Sequence, residues 1–333
     1  MIELSHLTKR YGEHLAVSDL SFTVESGQIY GFLGPNGAGK STTMNIMTGC
    51  LSATEGSIRI GGHDIFEEPD KAKRLIGYLP EQPPLYLNET PAEYLRFVGE
   101  AKGLRGGGLE RQIAAVIEQT GVKKVAHRRI SALSKGYKQR VGIAQALLGN
   151  PNVIILDEPT VGLDPIQIIE IRDLIKELGQ SHTVIFSSHI LSEVQAICDR
   201  IIMIAKGKLV ALDTPENLEK HLLSPNEVIL SSDAGEDVVR TLLGGLDHIT
   251  DLTLEETGTG LVTARVKTDL SNVYDLSRSV FSAFAASGTA LLELTVKKAN
   301  LEDIFLELAE NEEPGPKPPV VEAELVESEV TEG

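Results

Sequence analysis

The sequence predicts an α/β domain over residues 2–222, a small α+β domain over 225–309 and an acidic tail over 310–333. In the first domain, short apolar runs alternate with helical stretches, which is the pattern of an α/β fold. A Ser-Pro pair at 224–225 interrupts that pattern. The runs after it read strand, helix, strand, strand, helix, strand, which is the order of a ferredoxin-like split βαβ unit.

The strands of the first domain are predicted to belong to two kinds of sheet. Ile2–Leu7 and Leu20–Val24 alternate apolar and polar residues, which indicates half-exposed antiparallel strands. Gln28–Leu33, Asn152–Leu156 and Thr183–Ser187 are short apolar runs. Such runs are typical of strands buried on both faces of a parallel sheet.

A helical subdomain is predicted over residues 90–150, inserted within the α/β domain. Pro91–Gly103 and Leu109–Thr120 have helical periodicity, and the glycine-rich stretch Arg105–Gly108 predicts a flexible break between them. Near the end of the domain, Ile201–Leu212 predicts a hairpin that turns at its central Lys-Gly pair.

The second domain is predicted from six consecutive runs, closed by a short helix at Leu301–Leu308. The six runs are Glu227–Ser231, Gly235–Leu246, Ile249–Glu256, Gly260–Thr268, Leu270–Ser287 and Ala290–Lys297. The tail beyond them is rich in Pro and Glu, which predicts disorder. It is interpreted as a solvated end, and a partner-binding segment is the alternative.

The charge balance argues against nucleic acid as a partner. The chain has 31 basic and 48 acidic residues, a net charge of −17, of which residues 309–333 contribute −7 through eight Glu and one Lys. Sequence-independent binding to nucleic acid requires basic residues that neutralise phosphates.

The composition also predicts the compartment. No stretch approaches the roughly 18 consecutive apolar residues of a membrane span, and the first residues lack the apolar region of a secretory signal. Cys50 and Cys198 are the two cysteines, too few for a disulfide framework or a Cys-rich metal site. We therefore expect a cytoplasmic protein that reaches a membrane only through a partner.

The strongest motif matches the phosphate-binding pattern G-x-x-x-x-G-K-[ST]. It consists of Gly34, Pro35, Asn36, Gly37, Ala38, Gly39, Lys40 and Ser41. Glycines let backbone N–H groups close around a phosphate, Lys40 is expected to reach the β- and γ-phosphates, and Ser41 to bind Mg²⁺. The following segment, Thr42–Gly49, is predicted to be the helix whose N-terminus faces the phosphates. The cofactors predicted are ATP and Mg²⁺.

A second motif is the apolar run Val153–Leu156, which ends in two carboxylates. Asp157 is expected to lie in the coordination shell of Mg²⁺, like the aspartate at the end of the corresponding strand in P-loop NTPases. Glu158 is then placed beside the γ-phosphate, where it can polarise the attacking water.

A third candidate site lies at the start of a helix. Ser134 and Gly136 can form an anion-binding corner of hydroxyl and N–H donors. The alternative is an ordinary serine N-cap. The position of Ser134, 23 residues before Asp157, favours the anion-binding role.

Together these motifs resemble those of the ATP-binding subunits of ABC transporters, over residues 2–220. Gly34–Ser41 matches Walker A, Ile155–Glu158 matches Walker B, and Leu133–Tyr137 is similar to the signature motif, with LSKGY in place of LSGGQ. The resemblance implies a P-loop, RecA-like ABC ATPase fold with antiparallel β and helical subdomains.

The resemblance also implies roles for three further residues. Asp164 ends Val161–Asp164, which is similar to the D-loop. His189 falls 31 residues after Glu158, at the position of the switch histidine. Tyr11 falls where the family stacks an aromatic ring on adenine.

One position departs from the family pattern. Alignment on Leu85 and Tyr86 places Glu81, and not Gln82, where the family has its Q-loop glutamine. A carboxylate there can accept a hydrogen bond from metal-bound water, but it also adds negative charge beside two phosphates. Glu81 is therefore a candidate metal ligand that differs from the family's glutamine in its charge.

Within the family, the sequence most resembles the ABC-2 export branch. The resemblance rests on Tyr78–Glu81, the LSKGY signature, Glu158–Pro165 and Leu301–Leu308. The gliding-motility-type ATPases are the nearest group by motif.

The resemblance implies a head-to-tail dimer, formed with a second copy or with another ATPase subunit, on the cytoplasmic face of a membrane permease. Each ATP would lie on Lys40, Ser41 and Asp157 of one subunit and be capped by Ser134 and Gly136 of the other. One alternative is a soluble ABC ATPase that acts on ribosomes or chromosomes. The single P-loop and the lack of a long coiled coil disfavour it. The other is a non-hydrolysing ATP-binding regulator, which the presence of Glu158 and His189 disfavours.

Overall fold

The computed structural model describes residues 1–221, 226–256, 260–270 and 272–297. Within these residues the strands form three sheets. The strands are β1 (Ile2–Tyr11), β2 (His14–Val24), β3 (Ile29–Leu33), β4 (Glu55–Ile60), β5 (His63–Asp64), β6 (Ile76–Leu79), β7 (Val153–Leu156), β8 (Thr183–Ser188), β9 (Arg200–Ala205), β10 (Lys208–Asp213), β11 (Asn226–Ser232), β12 (Ile249–Glu256), β13 (Val262–Thr268) and β14 (Glu293–Lys297). The α-helices are α1 (Lys40–Met47), α2 (Pro69–Arg74), α3 (Pro91–Ala101), α4 (Gly106–Gln119), α5 (Lys135–Leu147), α6 (Pro165–Leu178), α7 (Leu191–Gln195), α8 (Pro215–His221), α9 (Glu236–Gly244) and α10 (Val273–Ser287).

The central sheet has the strand order β10-β9-β3-β8-β7-β6. Strands β9, β3, β8, β7 and β6 are parallel, and β10 pairs antiparallel to β9 at one edge. Every residue of β3, β7 and β8 is buried, as the apolar runs predicted. Because these strands are parallel, their carboxyl ends meet at one edge of the sheet.

The second sheet is antiparallel, with the order β2-β1-β4-β5. Strands β1 and β2 extend the predicted runs to Tyr11 and back to His14. Phe22 of β2 and Phe32 of β3 belong to one buried cluster, with ring centroids 6.2 Å apart, so this sheet packs against the central one. Strands β4, β5 and β6 were not predicted from the sequence.

The predicted helical subdomain consists of α3, α4 and α5. Thr90 and Glu93 form a capping box at the start of α3, which explains why the helix begins at Pro91. The predicted break between the two helices is present but lies at residues 102–105 and not at Arg105–Gly108, because Gly106–Gly108 lie in the first turn of α4. First-turn N–H groups have no intrahelical partner, so glycine is tolerated better there than in a helix interior.

Two predictions concern the start of the helix after the phosphate-binding motif and the hairpin turn near the end of the α/β domain. The helix after the motif was predicted at Thr42–Gly49, but α1 begins two residues earlier, because Gly39 is its N-cap with a φ of 99°. The hairpin of β9 and β10 turns at Lys206 and Gly207, as predicted. Their φ values of 50° and 73° are both left-handed, which a two-residue type I′ turn requires.

The third sheet has the order β12-β13-β11-β14, with antiparallel neighbours throughout. Helices α9 and α10 pack on it through residues such as Val239, Leu276 and Phe284. This is the strand and helix order predicted for a ferredoxin-like unit. The predicted helix Leu301–Leu308 and the acidic tail lie outside the described residues. Among the residues that are described, no helix is both long enough and apolar enough to span a membrane.

Candidate active site

The phosphate-binding loop joins the buried strand β3 to helix α1. Gly37 and Gly39 have φ values of 79° and 99°, in the left-handed region that favours glycine. A Cβ on Gly39 would lie 2.6 Å from the carbonyl oxygen of Ala16, so the loop packs closely on β2. These contacts fix a turn whose N–H groups precede the helix N-terminus, an arrangement suited to phosphate.

Lys40 is the first residue of α1 and is buried against the loop. Its Nζ donates hydrogen bonds to the carbonyl oxygens of Gly34 at 2.7 Å and Pro35 at 3.1 Å. The same Nζ lies 3.6 Å from Oε1 of Glu158, and the two side chains are 6% and 9% exposed. The ammonium group therefore already stands between the loop and the carboxylate that follows β7.

Asp157 is placed at the carboxyl end of β7, beside the start of α1. Ser41 Oγ donates to Asp157 Oδ1 at 3.3 Å, and Ser187 Oγ of β8 donates to the same oxygen at 2.6 Å. A serine hydroxyl and a carboxylate are the hard oxygen ligands that Mg²⁺ prefers. Within the described part of the chain, no group of three or more His, Cys, Asp or Glu could hold a metal.

Glu158 and His189 lie in contact. Nδ1 of His189 is 3.0 Å from Oε2 of Glu158, at the ends of β7 and β8. Glu158 has a φ of 45°, an uncommon conformation for a residue other than glycine. Its N–H donates to Ser187 Oγ at 2.7 Å, which anchors that backbone conformation.

The signature and D-loop residues lie at two helix starts that face each other. Ser134 is the N-cap of α5, and its Oγ accepts from Tyr137 N–H at 3.4 Å. Asp164 is the N-cap of α6 and accepts from Gln167 N–H at 2.9 Å. A Cβ on Gly136 would lie 2.8 Å from the side chain of Gln167, so α5 and α6 meet at this glycine.

The side-chain hydrogen bonds of Ser134 and Asp164 are caps of their own helices. Ser134 and Asp164 are exposed, which leaves the Ser134 hydroxyl accessible to another molecule, whereas Gly136 is buried.

Tyr11 and Glu81 are both exposed. Tyr11 ends β1, and the Lys9 Nζ lies 5.3 Å from the centroid of its ring. Glu81 follows β6, and its negative charge contributes to the raised pKa of Tyr78. Burial, helped by the charges of Asp157, Cys50 and Glu81, raises the pKa of Tyr78 well above its usual value.

Four buried residues that support the site were missed by the sequence analysis. Ser187 bridges Asp157 and Glu158, and Glu193 accepts hydrogen bonds from Thr160 and Ser188. The available signal was the Ser-Ser pair just before His189, since polar residues that end an apolar strand lie at the functional edge of the sheet.

Comparison with known proteins places this geometry in a family. Residues 17–161 match the family model described as ABC transporter. The linearmycin resistance ATP-binding protein LnrL of Bacillus subtilis is 35% identical over 92% of this chain and 98% of its own length. The chain belongs to the ABC transporter ATP-binding protein family. The bacitracin transport ATP-binding protein BcrA of Bacillus licheniformis is 36% identical over 92% of this chain and 97% of its own length.

Solved structures of this family share the fold. An ATP-binding subunit of an ABC transporter is 30% identical, with a TM-score of 0.61 over 67% of this chain and 93% of that one. A dimeric ATP-binding cassette in a post-hydrolysis state, bound to ADP and Pi, is 28% identical, with a TM-score of 0.59 over 64% and 98% of the two chains.

Membership in the family confirms the main predictions. The chain is an ATP-binding, ATP-hydrolysing subunit of an ABC-type transporter, as the motifs predicted, and the names of its relatives refer to linearmycin resistance and bacitracin transport. Neither the relatives nor the solved structures support the ribosome- or chromosome-acting alternative. The narrower likeness to gliding-motility-type ATPases stays a prediction.

Proposed function

We propose that two of these ATPase subunits close head to tail on two molecules of ATP and drive export through a separate membrane permease. The observation that carries the proposal is the group of contacts at one edge of the central sheet, where Lys40 meets Glu158 and Glu158 meets His189. The partner subunit is a second copy of this chain or another ATPase subunit. The assembly lies on the cytoplasmic face of the membrane, held there by the permease.

The residues of one subunit supply the binding half of each site. Lys40, now bonded to two loop carbonyls, holds the β- and γ-phosphates, and the loop N–H groups surround them. Thr42 lies in the first turn of α1 and adds a hydroxyl near the phosphates. Tyr11 stacks on the adenine ring. Ser41 and Asp157 hold Mg²⁺, which neutralises phosphate charge when bound, and Glu81 is a further candidate ligand.

The other subunit supplies the cap. Ser134 and the N-terminal turn of α5 at Gly136 offer hydroxyl and N–H donors to the γ-phosphate held by the first subunit. Asp164 lies beside them at the D-loop. An isolated subunit is therefore incomplete and should hydrolyse ATP slowly, since catalysis of phosphoryl transfer rests on positioning and charge stabilisation.

The chemical step is assigned to the pair at the ends of β7 and β8. Glu158 orients and polarises the attacking water, and the low exposure of its carboxylate keeps bulk water from screening it. His189 is held by Glu158 and contacts the γ-phosphate. The opening movement of the dimer after hydrolysis is transmitted to the permease through the Q-loop and the helical subdomain.

The proposal also divides the chain at residues 222–225 into an ATPase domain and an accessory domain.

Substitution Glu158→Gln tests the proposal. It keeps the size of the side chain and removes the carboxylate, so turnover should fall about 100-fold while ATP binding persists. The measurement is phosphate release by the purified wild type and variant, with ATP affinity followed by a fluorescent analogue. Glu67→Gln, at an exposed site in the turn before α2, is the matched control. Turnover of Glu158→Gln within several-fold of the wild type would refute the assignment.

A further inference from the structure

A buried carboxylate to which no role has been assigned above contacts both turns that carry the catalytic pair. Glu193, in α7, is 4% exposed. Its Oε2 accepts hydrogen bonds from Thr160 Oγ1 at 2.7 Å and from Ser188 Oγ at 3.0 Å. No Lys, Arg or His of the described residues forms a salt bridge with it. Burying a carboxylate costs free energy, and two hydroxyl donors reduce that cost without a cation.

The two hydroxyls belong to the two turns that carry the catalytic pair. Thr160 lies two residues after Glu158, in the turn that follows β7. Ser188 ends β8 and immediately precedes His189, and its Oγ also accepts from the Ile190 N–H at 3.0 Å. One carboxylate oxygen therefore ties together the backbone on both sides of the contact between Glu158 and His189.

We propose that Glu193 is a positioning residue that holds His189 against Glu158. It fixes the separation of the two turns and so keeps the imidazole 3.0 Å from the carboxylate. Glu193 acts through Thr160 and Ser188. The proposal rests on the roles assigned above to Glu158 and His189. Because Glu193 acts on the pair through Thr160 and Ser188, its removal should lower kcat and leave the affinity for ATP in place.

Four substitutions distinguish the loss of a hydrogen-bonding group from the loss of side-chain volume. Glu193→Ala removes the acceptor, whereas Glu193→Gln keeps one oxygen that both hydroxyls can reach. Thr160→Val removes the donor at nearly constant shape, and Thr160→Ser keeps the donor and removes a methyl group. We expect kcat to fall about tenfold in Glu193→Ala and Thr160→Val, with KM for ATP within about twofold, since each tenfold loss corresponds to about 1.4 kcal/mol. Thr160→Ser should restore kcat to within about twofold, and Glu193→Gln should be intermediate, because a neutral acceptor makes weaker hydrogen bonds.

A double-mutant cycle tests whether the two residues act together. If Thr160 works through Glu193, adding Thr160→Val to Glu193→Ala should lower kcat by less than about twofold further, because contacting residues are not additive. Additive losses of about 100-fold would overturn the proposal.

Nuclear magnetic resonance of nucleotide-free protein provides a readout that needs no hydrolysis. The ring ¹⁵N signals of His189, identified by their loss in His189→Gln, should change in Glu158→Gln if the contact exists in solution. They should change in the same direction in Glu193→Ala and Thr160→Val, measured well below the unfolding temperature of each variant. Failure of Glu158→Gln to lower turnover would count against the proposed function alone. Unchanged His189 signals in a folded Glu193→Ala, or a kcat within twofold of wild type, would overturn the positioning role.

Discussion

Replacement of Ser187 by alanine should destabilise the edge of the central sheet from which the site is built. Ser187 is completely buried, and its Oγ makes two short hydrogen bonds, one to the carboxylate of Asp157 at 2.6 Å and one from the N–H of Glu158 at 2.7 Å. A hydrogen bond to a charged group contributes about 1.5–3 kcal/mol, and a neutral one about 1 kcal/mol. The change leaves a buried N–H and a buried carboxylate oxygen without this partner. We therefore expect the free energy of unfolding of the ATPase domain to fall by about 2–4 kcal/mol.

The assay is urea unfolding of nucleotide-free protein followed by circular dichroism, because the chain has no tryptophan. The hydrophobic cluster under the third sheet is separate from those around the central sheet, so the chain can unfold in two steps. The free energy is therefore taken from the transition that ATP shifts. Ser181→Ala, at an exposed serine after α6, is the control and should change stability by less than about 0.5 kcal/mol. Amide exchange at Glu158 should accelerate in Ser187→Ala. A cost below about 0.5 kcal/mol with unchanged exchange would refute the reasoning.

Two further predictions concern the phosphate loop and the helical subdomain. Gly39→Ala should abolish ATP binding measured by calorimetry, since a Cβ at φ 99° would lie 2.6 Å from the Ala16 carbonyl oxygen. The control is Gly108→Ala in α4, where a Cβ would meet open space. It should bind ATP normally, and its free energy of unfolding should rise by about 0.5–1 kcal/mol. Normal ATP binding by Gly39→Ala would contradict the packing argument. Burial raises the pKa of Tyr94 to about 12, so above pH 10 the unfolded chain releases a proton that the folded chain keeps, and stability should fall between pH 10 and 12. The unfolding free energy of Tyr94→Phe should lack this component, and identical pH dependence of wild type and variant would contradict it.

The predictable parts of the fold are those in which local pattern and tertiary environment agree. Strand β3 is apolar throughout and buried throughout, and the Lys206-Gly207 pair specifies its turn through two left-handed φ values. The glycines 106–108 suggested a break because their propensity opposes a helix, but the first turn of α4 needs few intrahelical bonds. Strands β5 and β6 are two and four residues long, too short to show a period.

The candidate site divides in the same way. Lys40, Ser41, Asp157 and Glu158 carry motif spacing, so the sequence predicted that they meet, and the structure brings them together. The support from Glu193 was not predictable, because its partners lie 33 and 5 residues away and a single Glu in a short helix carries no pattern. Contacts across the subunit interface depend on a second molecule, so the roles of Ser134 and Gly136 stay predictions.

The measurement that tests the head-to-tail dimer most directly is the mass of Glu158→Gln by light scattering, with and without ATP and Mg²⁺. We expect a monomer without nucleotide and a dimer with ATP, because ATP binding closes the dimer and the missing carboxylate prevents the hydrolysis that opens it. Adding Ser134→Asp should place a negative charge against the γ-phosphate and abolish the dimer while ATP binding remains. A Glu158→Gln protein that binds ATP and stays a monomer, or a dimer that forms equally well with Ser134→Asp, would contradict the head-to-tail dimer.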